Sequence, residues 1–325
     1  MTDLLAPVRS LKTSLRARLI RPGLHRLAYV SGTSALRARS QQGDRILMFH
    51  GIDGRRYPVD VFEAQLRYVR RHFTVVPLDS IVRRLEQPGA PSSRCVALTF
   101  DDGFRNHATT VYPLLRRLQL PATFFVCPGL IEQGRWLWSA EVDERVGSVS
   151  PASRGTLLRE FPIASPTAAA LKTWMKTLPV GPRLDAERRL RALTPYFAAT
   201  PAQRTRLEPM SWRDLASLDR NLVTVGSHTM SHPMLTTLDE VSARAEIVNS
   251  RRRLEEMLGR AVEFFCYPAG AYSESVTEEV RRHYRAAVTT DPGFVRPHDD
   301  RHLLRRVPAV PQLPFFAWLL HRPSA

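Results

Sequence analysis

The sequence predicts an α/β fold built on a parallel sheet closed into a barrel, and three observations carry that expectation. From Arg45 onward, apolar runs of strand length alternate with segments of helical periodicity, and regular β-α alternation argues for a parallel sheet. Several of these runs end in Asp or His, and candidate catalytic residues at the C-terminal ends of several strands fit a barrel better than an open sheet. The chain has 325 residues and 43% hydrophobic content, enough for the core of one large α/β domain or two small ones.

Residues 1–44 read as a separate basic segment. Arg9, Lys12, Arg16, Arg18, Arg21, Arg26, Arg37 and Arg39 are almost unopposed, while Leu4, Val8, Leu11, Leu15 and Leu19 recur at helical spacing. Asp3 to Ile20 is therefore expected to form a basic amphipathic helix, ended by Pro22-Gly23. Charges interrupt every apolar run, which argues against a signal peptide, and no stretch is long enough to span a bilayer. An interfacial helix on anionic lipid is the functional expectation; a helix packed on the domain or a loose tail is the plainer one.

The barrel domain is expected over 45–325. Arg45 to Ile52 reads as a strand with His50 near its end, and Val59 to Arg71 as a helix with Phe62, Leu66 and Val69 on one face. Phe73 to Leu78 reads as a second strand. Arg94 to Gly103 is the organising third strand: Cys95, Val96, Ala97, Leu98 and Phe100 make an apolar run that stops at Asp101-Asp102-Gly103, where Asp and Gly disfavour further strand. A helix from about His107 to Leu118 and a strand over Pro121 to Val126 follow. Between about 143 and 207 no strand is evident, and helices over Thr167 to Leu178 and Leu184 to Leu193 suggest a helical insertion over the barrel mouth. Leu222 to His228 is the fifth strand, and Leu238 to Leu258 a long helix with Val241, Ala245, Val248 and Leu254 inward. Glu263 to Tyr267 is the sixth strand, ending at Pro268; Glu274 to Tyr284 is a helix and Arg285 to Thr290 the seventh strand.

Two adjacent carboxylates at a strand end call for a positive partner, and a metal ion would let one ligate while the other stays free as a base. His228 closes another strand and His232 follows four residues on; in a helical turn such residues share one face. Two His and one carboxylate with an open position is a hydrolytic metal layout.

TFDDG at Thr99 to Gly103, SHTMSH at Ser227 to His232 and YPAG at Tyr267 to Gly270 resemble, in order and approximate spacing, the polysaccharide deacetylase family, built on the NodB-homology domain of carbohydrate esterase family 4. The resemblance covers about Ile46 to Pro311, and TFDDG followed by PATFFV is its most specific part. It implies a distorted (β/α)7 barrel and hydrolysis of N-acetyl, sometimes O-acetyl, groups on sugars. By motif match Asp101 would be the catalytic base, and Asp102, His228 and His232 the ligands of one divalent ion. Zinc suits such a set best, although iron, cobalt and nickel share it. The chain departs from the family where Tyr267 stands in place of an Arg that orients the base. Arg306, in LLRRVPAV, resembles an Arg on the final strand of a related subgroup and is the expected replacement. The His motif that usually supplies the general acid is not clear; His298, His302 and His50 are candidates. Tyr267 and Trp138 are candidate substrate contacts, with Trp136 and Trp138 able to stack on a sugar.

Rival readings are a non-heme iron oxygenase, whose scaffold is usually all-β and whose site needs no second Asp, and a catalytically weak carbohydrate- or membrane-binding protein. The net charge of +16 is compatible with nucleic acid or anionic membrane, or with a plainly Arg-rich protein; no nucleic-acid partner is expected for the domain. Cys95, Cys127 and Cys266 all lie in or beside apolar runs and are expected as reduced core residues in a cytoplasmic protein; a peripheral place at the inner membrane face, with a lipid-linked sugar as substrate, is the accompanying expectation. The sequence leaves open the glycan acceptor and the oligomeric state.

Overall fold

The structure, a computed structural model, describes residues 22–87 and 94–323. The helix expected over Asp3 to Ile20 lies outside them. The strands are β1 (Arg45–Phe49), β2 (Thr74–Val75), β3 (Cys95–Phe100), β4 (Ala122–Val126), β5 (Val223–Ser227), β6 (Phe264–Cys266), β7 (Ala286–Pro292) and β8 (Leu304–Pro308). All paired strands run parallel. β1 pairs with β8 on one side and β3 on the other, so the sheet closes into a ring of seven strands with helices around it: the (β/α)7 barrel expected from the sequence.

The membership of that ring differs from the sequence reading. The segment Phe73 to Leu78 shrinks to the two-residue β2, which pairs only with the first residues of β3. Pro77 has no N–H to give to a ladder and instead precedes the Leu78–Leu85 helix. The seventh ring member is β8, which the sequence reading left as a segment after the last strand. In the Glu240–Leu258 helix the buried stripe is Ala243, Ile247, Ser250, Leu254 and Leu258, and Val241 is 79% exposed. The expected face over Val241, Ala245 and Val248 is therefore rotated. Ser250 belongs to the stripe because its hydroxyl pairs with Ser227 (2.7 Å) and Tyr284 (3.3 Å).

Strand side chains alternate between two clusters, as period-two geometry requires. Ile46, Ala97, Phe125, Phe264, Val288 and Leu304 pack together with Leu78, Ile81 and Val82. Their neighbours Leu47, Leu98, Phe124 and Phe265 pack with the surrounding helices. The first set fills the barrel. Gly226 makes room for it, since a Cβ there would lie 2.5 Å from the Phe125 ring.

Pro22, expected to end a helix, opens one: Pro22–Val30, followed by Thr33–Ser40. Both pack on the C-terminal helix Leu313–Leu319. His25 lies 4.7 Å from the Phe315 ring and 5.1 Å from Trp318. Buried Arg45 donates to the carbonyls of Gly43 (2.5 Å), Ala38 (2.8 Å) and Leu320 (3.1 Å), so one guanidinium ties the N-terminal helices, β1 and the C-terminus together.

After β3 the chain makes a π-helical turn, His107–Val111, before the Tyr112–Leu118 helix. His107 Nε2 lies 3.2 Å from the His50 carbonyl, to which it donates, while its ring packs against Phe100 and Phe124. Burial pushes its pKa down to about 4. Between ~6.5, its unfolded value, and 4, the unfolded chain takes up a proton that the fold refuses. The stability contributed by neutral His107 is thus fully present above pH ~6.5 and lost as pH falls. Unfolding free energies at pH 7 and 4.5 should differ by about 2 kcal/mol less in a His107→Leu variant than in the unaltered chain. Equal differences would mean that His107 is charged in the fold.

The insertion begins earlier than expected. Trp138–Ser148, Pro151–Arg159, Ala168–Lys176, Val180–Leu193 and Pro201–Leu207 form a helical unit around its own core of Trp138, Val142, Leu158, Leu171, Met175 and Leu190. It sits against the C-terminal ends of β3 and β4, whose neighbours Phe104 and Cys127 share that core. Arg105 N–H donates to the Glu208 carbonyl (2.7 Å) and Met210 N–H to that of Gly103 (2.8 Å), clamping the insertion's exit to the loop that carries the paired aspartates.

Candidate active site

Ala97, Thr99 and Asp101 share one parity, so β3 aims Asp101 into the upper end of the barrel. Its N–H continues the β1–β3 ladder by donating to the Phe49 carbonyl (2.9 Å). Across the ring, Arg306 shares the inward parity of Leu304 on β8 and is wholly buried. The two side chains meet fork to fork, with Nη1 to Oδ1 at 2.7 Å and Nη2 to Oδ2 at 2.6 Å. The remaining guanidinium donors go to the Thr289 carbonyl (2.7 Å), Thr99 Oγ1 (3.0 Å) and Cys266 Sγ (3.3 Å). Cys266 Sγ in turn lies 3.5 Å from Asp101 Oδ2. Burial by itself would raise the Asp101 carboxyl; the adjoining guanidinium outweighs it and holds the group below its usual value. Burial likewise disfavours the charge on Arg306, and Asp101 reverses that effect.

Asp102, His228 and His232 form the second group. Asp102 Oδ1 lies 3.5 Å from His228 Nε2 and 3.3 Å from His232 Nε2. Burial raises the Asp102 carboxyl, but hydrogen bonds from the two imidazoles bring it well below its usual value. His228 Nδ1 lies 2.7 Å from the Cys266 carbonyl, which can only accept, so Nδ1 carries a proton and Nε2 is the nitrogen turned to Asp102. The loop backbone is forced into place: Asp102, Thr229 and His232 have φ of 75°, 65° and 56°. Non-glycine residues there carry strain that clusters at functional sites. Gly103 (φ 65°) could not be otherwise, since a Cβ would lie 2.9 Å from Val126.

This donor set fits a divalent ion. Ligands ~2.1 Å from a tetrahedral centre stand about 3.4 Å apart, the spacing seen from Asp102 to each imidazole. With its Nδ1 proton engaged by the Cys266 carbonyl, His228 offers Nε2 as the nitrogen for an ion, as a metal-binding His with a partnered second nitrogen does. Asp101, His228 and Cys266 also bring three donors within 4.8 Å of one another, but Arg306 already occupies both Asp101 oxygens, which argues for the Asp102 set.

The other candidates fall elsewhere. Trp138, expected on the substrate, is 6% exposed in the insertion core with the Arg183 guanidinium 5.7 Å from its ring. Tyr267, likewise expected on the substrate, is wholly buried, and its hydroxyl donates to the His302 carbonyl (3.1 Å). Both are packing residues, because each large ring is taken up by a neighbouring core. His302 is buried with Nε2 on the Tyr284 carbonyl (2.9 Å), and His298 is exposed on a left-handed residue (φ 74°). His50 is exposed at the end of β1 and acts electrostatically on both aspartates. Cys266 and Thr99 were not singled out from the sequence. Strand parity carries their signal, since Cys266 follows inward Phe264 by two and Thr99 precedes Asp101 by two.

The profile of the polysaccharide deacetylase family matches residues 89–157 and 181–288, more than half of the chain. The chain belongs to the polysaccharide deacetylase family. It is therefore a carbohydrate deacetylase, a hydrolase on the NodB-type barrel. YxkH of Bacillus subtilis (strain 168) is 21% identical over 272 residues, covering 82% of this chain and 71% of YxkH. Among solved structures, the barrel resembles IcaB from Ammonifex degensii (TM-score 0.58, 18% identity, 86% of this chain and 98% of that one). It also resembles the Streptococcus pyogenes deacetylase PplD, solved with acetate (TM-score 0.57, 18% identity, 84% and 96%). At these identities the two structures speak for the fold of the deacetylase, a barrel of the same kind.

Proposed function

We propose that this deacetylase removes N-acetyl groups from an amino sugar of a glycan by metal-dependent hydrolysis, with Asp102, His228 and His232 holding one zinc ion and Asp101 acting as the base. The observation that carries the reading is the division of labour between adjacent carboxylates: Asp101 is held by Arg306 while Asp102 faces two imidazoles. The ion that Asp102, His228 and His232 would hold would supply Lewis acidity, polarising the acetamide carbonyl and lowering the pKa of a water towards ~7. Asp101, ionised by its buried partner, takes the proton of the attacking water. The carbon–nitrogen bond breaks, acetate leaves, and the sugar amine takes a proton. Arg306 is a positioning residue: its fork fixes the plane of the Asp101 carboxylate, a role that a point charge could not fill. His50, exposed beside both aspartates, is the candidate to protonate the leaving amine. The parallel barrel and the second, non-ligating carboxylate favour this reading over an oxygenase site.

We further propose a lipid-linked glycan at the inner face of a cytoplasmic membrane as acceptor. The helices over Pro22–Val30 and Thr33–Ser40 expose Leu27 (70%), Val30 (76%) and Leu36 (68%) beside Arg26, Arg37 and Arg39, a composition that suits anionic lipid. Among the described residues no helix is long and apolar enough to cross a membrane.

The test is metal content and acetate release for the unaltered chain and a His228→Ala, His232→Ala double variant. The unaltered chain should carry one divalent ion and release acetate, faster when the sugar is a glycolipid in anionic vesicles than when free. The double variant should do neither. Full metal occupancy in the double variant would sink the ligand assignment, and equal rates on vesicle and free sugar would sink the lipid-linked acceptor.

A further inference from the structure

The helical insertion carries a pocket that the reaction does not use. Arg135 and Trp136, Arg145, Arg191, Phe197 and Arg204 line it, with Glu141 in the wall. Arg145 engages Glu141 at 2.7 Å, and Arg191 holds it through two bonds of 2.9 and 2.6 Å. Glu187, behind the wall, pairs with Arg135 and lies 3.2 Å from Arg191. Arg204, the fourth, lies 3.6 Å from Glu208, which Arg105 also holds at 3.1 Å; three carboxylates thus face four lining guanidinium groups, and the pocket keeps an excess of positive charge. Its aromatic side is preformed: Trp136 and Phe197 meet edge to face at 6.2 Å, and Arg145 lies 4.7 Å over the Phe197 ring. The adjoining Tyr196 is 97% exposed.

Two ties fix this pocket to the candidate active site. The Pro128–Gln133 helix, which leads into Arg135, places Gly129 N–H on the Met230 carbonyl (3.0 Å), between His228 and His232. A Cβ at Gly129 would lie 2.7 Å from that oxygen, so only glycine permits the approach. From the other wall, Arg183 donates to the His232 carbonyl (3.1 Å) and lies 3.7 Å from Glu187. Both walls are therefore anchored to the loop that carries the imidazoles.

We infer that this pocket binds an oxyanion carried on the glycan, the carboxylate of an acidic sugar or a phosphate, next to the residue being deacetylated. Guanidinium forks match both groups bidentately, and a sugar's apolar face can rest on the exposed aromatic edge. The inference rests on the deacetylase reading, since it takes the ligand to be part of the substrate, but it is tested by binding alone.

The experiment titrates the full chain with glucuronic acid, N-acetylglucosamine 1-phosphate and neutral N-acetylglucosamine, by calorimetry at low and high salt. The variants are Arg135→Gln with Arg204→Gln, Trp136→Ala, and Asp101→Asn. At least one anionic probe should bind ~10-fold or more tighter than the neutral sugar, the scale of a charged hydrogen-bonded pair. The tighter of the two identifies carboxylate or phosphate. Salt should erode the preference, the double arginine variant should erase it, Trp136→Ala should weaken binding of all three probes, and Asp101→Asn should retain the preference. Arg204 has a 59% exposed side chain, so its replacement leaves the fold intact. Equal affinity for neutral and anionic sugars, or a preference unchanged in the folded arginine variant, would overturn the inference. A persisting preference without acetate release from any glycan would instead remove the reaction and leave the pocket.

Discussion

Asp101→Asn is expected to lower turnover by at least ~10²-fold, the scale of a positioned base, and to destabilise the fold as well. The second effect follows from Arg306. Its guanidinium is wholly buried and spends two donors on Asp101; an amide offers one oxygen and no charge. Leaving one partner of a buried ion pair uncompensated costs about 3–5 kcal/mol, so the variant should melt well below the unaltered chain even where it still binds metal. Asp102→Asn should instead weaken metal binding. Measuring metal content, melting temperature and acetate release on the two variants separates the roles: loss of the ion from Asp101→Asn with retention in Asp102→Asn would show that they are reversed.

The second large effect is expected from Arg306→Met. Removing the guanidinium leaves burial free to raise the Asp101 pKa, so the acid limb of the pH–rate profile should move to higher pH and turnover at neutral pH should fall. The sign for stability agrees. Asp101 in the fold titrates below its ordinary value, so its contribution is present above ~3.9, and is lost as pH falls through the folded value. Arg306→Met should remove that contribution and flatten the acid side of the stability curve. Arg306→Lys keeps a charge but not the fork; it should hold the acid limb near its original place while turnover stays depressed. An acid limb that does not move in Arg306→Met would mean that other groups keep Asp101 ionised.

What the sequence made legible was local. Asp101 and Asp102 are neighbours, His228 and His232 are four apart, and each pair sits at the end of an apolar run, so short-range pattern suffices to bring them to one rim. Ring membership was not local. Phe73 to Leu78 looks more like a strand than Leu304 to Pro308 does, because Arg305 and Arg306 break the apolar run. β8 is nonetheless the ring strand, since Arg306 is neutralised by a residue 205 positions away, which no window on the sequence contains. Cys266 escaped for the same reason: its environment is set by β3 and β8 meeting across the barrel. Trp138 and Tyr267 drew attention as large aromatics in suggestive places, and both are consumed by packing. The rotated stripe of the Glu240–Leu258 helix turned on Ser250, a polar residue buried because Ser227 and Tyr284 answer its hydroxyl.

The distance along the chain between Asp101 and Arg306 also has a temporal side. The chain is made from its N-terminus, at ~5–20 residues per second, so the separation of 205 residues amounts to roughly 10–40 s of synthesis. Over the last 36 of those residues, from Gly270 to Arg306 and roughly 2–7 s of synthesis, all three signature motifs already exist while Asp101 has no counter-ion. With Asp101 in its proposed role as base, completion of the last strand is then the event that would license the enzyme. A nascent or prematurely terminated product ending before Leu304 would carry every recognisable motif of a deacetylase and still be unable to seat its base.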